Sequence, residues 1–128
     1  METLEQLSEE LIPMHFGTDG YYGVKEGDYA IMTSGMLDFI KKTDAIWIMQ
    51  HLNSDEMVVI LKDAIKKTGM LVVKIEGTGD TNTVLTIEDG NYNLIWDGAL
   101  PEKILPGRFD FWLEPFQDKL VALLPSEH

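Results

Sequence analysis

The sequence predicts an α+β domain: N-terminal helices packed on a C-terminal antiparallel β-meander of four to five strands. Three observations predict it. Up to Lys67 the apolar residues recur at helical spacing, while beyond Gly69 short β-branched and aromatic runs are bounded by Gly, Pro, Asn or Asp. Helices first and strands second is the order of an α+β chain rather than of a βαβ array. No repeat, low-complexity tract or linker divides the 128 residues, so 1–128 reads as one domain, large enough to bury roughly two thirds of its unfolded surface.

The elements follow in order. Leu4, Leu7, Leu11 and Ile12 share a helical face, Thr3 with Gln6 forms a capping box, and Pro13 ends the turn. "MHFGTDGYYGVKE", residues 14–26, is punctuated by Gly17, Gly20 and Gly23 and reads as a loop or a short irregular strand. Thr33-Ser34 opens the next helix, with Ser34 before Gly35 read as its cap. Met36, Leu37 and Ile40, then Trp47, Ile48 and Leu52, form its apolar face. Thr43 and Asp44 disfavour a helix interior, which predicts a kink or two helices meeting there. Ser54 caps "DEMVVILKDAIKKTG", with acids in the first turn, Lys66 and Lys67 in the last, and Gly69 as terminator. Helix is the favoured reading of 55–68, and a strand over Met57–Leu61 stays open. "MLVVKIE", "TVLTIED", "YNLIWDG", "FDFWLEP" and "KLVALLP" are the strands.

Composition excludes several chemistries. There is no cysteine, hence no disulfide, thiolate nucleophile or Cys-ligated zinc. The acidic opening "METLEQLSEELIP" is unlike a secretion signal, and runs such as "AIWIM" are far short of a membrane span, so a cytoplasmic protein is expected. Twenty-two acids against ten bases give a net charge of -12, which repels a phosphate backbone and predicts no direct nucleic-acid binding. Solubility accounts for such an excess in an ordinary acidic domain; complementarity to a basic protein partner is the sharper reading.

No catalytic signature is complete. "GTGD", residues 77–80, lacks the lysine and hydroxyl of a phosphate loop and leads into a strand. His15, His51 and His128 show no metal-ligand spacing, and no serine lies in a nucleophile elbow. Adjacent carboxylates are what chance supplies in so acidic a chain. "EDGN", residues 88–91, resembles a calcium loop until the spacing is counted from Asp89: Leu94 stands where glycine is needed and Leu100 where glutamate is needed. It is then a hairpin turn in which Gly90 supplies a positive φ, and valine there is expected to cost stability. No catalytic residue, metal ligand or cofactor is assigned. His15, Tyr21, Tyr22 and Trp47 are the candidate binding residues, while Trp47, Trp96 and Trp112, each in an apolar stretch, are expected to pack in the core.

"FGTDGYY", "TSGMLDFI", "AIWIM", "EDGN" and the closing "LPSE", in that order across nearly the whole chain, resemble the domain-of-unknown-function family 6876 of bacteria, phages and mobile elements. The chain departs from that pattern at Ser34, where an acidic residue is usual, near "GALPEK", and in "DEMVVILKDAIKK". The resemblance implies a small single domain of bacterial or phage origin and carries over no catalytic residue. The leading expectation is an acidic, non-enzymatic binding or accessory protein. The alternatives are an inhibitor, immunity protein or nucleic-acid mimic acting on a basic partner, and a small hydrolase or ligand-binding domain walled by Tyr21 and Tyr22.

Overall fold

The computed structural model describes residues 2–11 and 20–127. In chain order the elements are α1 (Leu4–Leu11), β1 (Tyr21–Tyr22), β2 (Ala30–Thr33), α2 (Ser34–Thr43), α3 (Ile46–Leu52), α4 (Asp55–Thr68), β3 (Leu71–Gly77), β4 (Thr83–Asp89), β5 (Leu94–Leu100), β6 (Gly107–Phe116), β7 (Lys119–Leu123) and a 3-10 turn at Pro125–Glu127. The fold is α+β. The predicted meander of four to five strands is corrected to a seven-stranded mixed sheet in the order β1-β2-β7-β6-β3-β4-β5. The five strands after Gly69 are all present and pair antiparallel with one another. What the periodicity lacked is β1 and β2, of which β2 runs parallel to β7. Four residues joined directly to a helix leave no room for a period-two pattern, and the partner strand lies some ninety residues on.

The helices obey their local signals. Thr3 and Gln6 exchange the two bonds of a capping box, at 2.8 and 3.2 Å. Ile12 and Pro13 lie outside the described residues. The α2 cap is Thr33, whose Oγ1 accepts from the Met36 N–H at 3.3 Å; Ser34, expected as the cap, is already the first helical residue, so the helix starts one position earlier than expected. Asp44, left-handed at φ 53°, closes α2 and separates it from α3 as the sequence predicts. Residues 55–68 form one helix, capped by Ser54 and stopped by Gly69 at φ 77°, which settles the open strand reading. Asn53 then ties α3 to the sheet. Its side chain accepts from the Ala30 N–H at 2.8 Å and donates to the Ala30 carbonyl at 3.0 Å, as a neighbouring strand would.

All four helices cover one face of the sheet. Leu71, Val73 and Ile75 of β3, Leu85 and Ile87 of β4, and Phe109, Phe111 and Leu113 of β6 alternate inward and are buried against Leu4, Leu7, Phe39, Ile48 and Leu61 of the helices. Phe39 stacks on Phe109 with ring centres 3.9 Å apart. Each such side chain contributes about 1.5–3 kcal/mol through burial. Among the described residues no helix packs on the opposite face of β3–β6, and that asymmetry positions the site.

Candidate functional site

Strand register sets out the open face in cross-strand rows. Ala99, Val84, Glu76 and Arg108 form one row; Asp97, Thr86, Lys74 and Asp110 form the next; Leu94, Glu88, Val72 and Trp112 form the third, which runs on to the buried Leu123 of β7. Glu114 follows Trp112 on the same face of β6 because side chains alternate. Five carboxylates, Glu76, Glu88, Asp97, Asp110 and Glu114, thus share this face with two bases, Lys74 and Arg108. Lys74 pairs diagonally with Glu88 at 2.9 Å. Arg108 Nε donates to Asp110 at 3.2 Å, and that contact raises the guanidinium pKa further above its ordinary range. With both bases engaged, the field of the face is acidic.

A hollow of about 480 Å³ crosses this face, lined in part by Val72, Lys74, Tyr92, Arg108 and Trp112. Trp112 is half-buried on the side away from the described helices and lies outside the core cluster formed by the described residues, where packing in the core was expected of it. The Lys74 ammonium lies 5.7 Å from the centre of the Tyr92 ring, which is 83% exposed at the tip of the β4–β5 hairpin.

That hairpin is "EDGN". Asp89 accepts from the backbone N–H groups of Asn91 and Asn93 at 2.7 and 3.0 Å and from the Asn93 side-chain amide at 2.9 Å. The amide first, then the two N–H groups, hold its carboxyl below the usual carboxylate range. The crowd of acids and amides around the glycine is therefore internal wiring of a turn. The left-handed residue is Tyr92, at φ 66°, and Gly90 has no neighbour within 4 Å of where a Cβ would stand. The expected conformational role of Gly90 is corrected: the turn draws on the side chain of Asp89, not on glycine's freedom.

The sequence-chosen residues are dispersed. His15 lies outside the described residues, as do Phe16 and Gly17. Tyr21 and Tyr22 form the opposite sheet edge, 44% and 41% exposed, and the Tyr21 ring packs at a tilt against Phe116 with ring centres 4.7 Å apart. Neither tyrosine lines any of five surface hollows of about 340–500 Å³. Trp47 packs against the core from α3, and His51, one turn on, rests on Trp96 of β5 with ring centres 4.9 Å apart. Trp47 Nε1 and His51 Nε2 are buried there with no protein partner among the described residues. Burial pushes the His51 pKa down against the opposing pull of Glu56. Among the described residues no three His, Asp or Glu side chains gather where they could hold a metal ion. No described helix is long and apolar enough to cross a membrane.

Sequence reasoning missed the buried carboxylate of Glu127, 6% exposed. It accepts from Thr33 Oγ1 at 2.6 Å, the Gly35 N–H at 3.0 Å and the Leu124 N–H at 2.9 Å. The segments "TSGMLDFI" and "LPSE" meet at this point. Comparison with protein-family models, with curated proteins and with solved structures finds no match for the chain.

Proposed function

We propose that the chain is a non-enzymatic binding or accessory protein of the bacterial or phage cytoplasm, akin to family 6876, whose acidic open sheet face docks a basic protein partner. One observation carries the reading: the face of β3–β6 turned away from the described helices holds five carboxylates against two bases, and those bases pair with Glu88 and Asp110. A surface of that sign attracts lysine- and arginine-rich partners, speeds encounter and disfavours nucleic acid. Val72 gives the hollow on that face an apolar lining beside its charges.

The inhibitor or nucleic-acid-mimic alternative calls for carboxylates in one track. Here exposed acids also occupy the helical side, with Glu5, Glu9 and Glu10 on α1 and Asp55, Glu56 and Asp63 on α4. The hydrolase alternative rests on a pocket at Tyr21 and Tyr22, and the exposed edge they form gives it no support.

The test is to capture partners at low salt, then reconstitute the complex from the two purified proteins. The expected partner has a basic isoelectric point and an affinity that falls steeply as salt rises. A neutral or acidic partner held independently of salt, or turnover by the purified chain on a substrate panel, contradicts the proposal.

A further inference from the structure

Among the described residues β5 is a sheet edge whose one strand partner is β4. Its pairing is regular over Trp96–Leu100, and the register shift between Ile87 and Glu88 interrupts it before Leu94. No proline lies within the strand, and Asp97 is the single charge on it. Edges of this length are normally blunted by charge, bulge or cover. Here the bulge blunts one end only, and no described strand pairs with the outer side of the five regular residues.

The two faces of that edge differ chemically. On the open side Asp97 and Ala99 are exposed, next to Thr86 and to Val84, which is 39% exposed. On the helical side Trp96 and Leu100 are half-buried against the core. A strand added here would place alternate side chains over acidic Asp97 and over the apolar margin of Trp96 and Leu100.

We infer that β5 is a strand-addition site for an extended segment of the basic partner, one that alternates basic and apolar residues over Trp96–Leu100. The inference rests on the proposed function and assigns its contact. Charge complementarity selects this occupant over a second copy. Another copy would bring its own Asp97 to the same face together with a further net charge of -12.

The probe is a blocked Lys-Val-Lys-Val-Lys-Val-Lys peptide, titrated into the isotope-labelled chain with amide shifts as readout. Two further versions carry N-methyl groups on alternate residues, one in each phase. Strand addition uses the amides of one edge of the peptide, so one methylated version should lose affinity about tenfold or more while the other binds. The shifts should centre on Trp96–Leu100, and Asp97→Lys should weaken the unmodified peptide by a similar factor. Equal binding of both methylated versions, shifts centred elsewhere, or a stable dimer sealed through β5 overturns the inference. If the peptide fails but polylysine still binds with steep salt dependence, the inference fails and the basic-partner reading stands. If polylysine fails as well, both fall.

Discussion

Thr33 Oγ1 donates to Glu127 Oε1 at 2.6 Å, joining the start of α2 to the 3-10 turn that follows β7. The same side chain accepts the Gly35 and Leu124 N–H groups, so a buried carboxyl group has three donors and sits beside the α2 N-terminus. Glu127→Ala leaves these donors unmet and should destabilise the fold by about 3 kcal/mol in denaturant titration. Gly35→Ala should act alike, by about 1–3 kcal/mol, because the new Cβ would stand 2.5 Å from Glu127 Oε1 and 2.8 Å from Leu124 Cδ1. Wild-type midpoints in both variants would show that the latch contributes nothing.

In the β4–β5 turn, Asp89→Ala should lower the melting temperature clearly while Gly90→Ala changes it by no more than the scatter of a surface substitution. Tyr92→Gly, which relieves a left-handed residue, should hold or raise it. The Asp89 carboxyl is depressed in the folded state, so its contribution is complete above its unfolded pKa and is lost as the pH falls through the lower folded value. Asp89→Asn should flatten the acid limb of the stability profile. An unchanged limb would place the acid sensitivity elsewhere.

His51 titrates with the same sense for a different reason. Burial disfavours its charged form, so the folded pKa lies below the unfolded one and the neutral ring is the native species. Its contribution is full above about pH 6.5 and is lost as pH falls through the folded value. Thermal melts across that range should show a loss of stability in the wild type that is smaller in His51→Phe. Gly98→Ala is a second probe, since a Cβ there would sit 2.7 Å from the Trp96 ring that covers His51. It should move the His51 titration upward by NMR; an unmoved titration would mean that Trp96 does not shield the imidazole.

Capping residues, charge order within helices and period-two runs made α1 through α4 and β3 through β7 legible, because each is a local signal. The parallel β2–β7 pair was not legible, since Ala30–Thr33 is too short to show a period and its partner is remote. Glu127 was hidden differently: one acid among twenty-two gives no hint of burial until Thr33 and Gly35 are placed beside it. The acidity of the site was readable as a sum, but not as a face. Register alone puts Glu76, Asp97 and Glu114 on the side that the helices leave open. Trp112 shows the same limit, because an apolar strand run reads identically whether its outward residue is covered or exposed.

Charge reversal on the open face tests the central claim most directly. Glu76→Lys and Asp97→Lys combined should weaken the reconstituted basic partner by about tenfold or more and flatten its salt dependence. Reversal of Glu9, Glu56 and Asp63 on the helical side should leave affinity within about twofold once both variants are shown to fold. Equal losses from the two sets, or none from the first, would contradict docking on the open face.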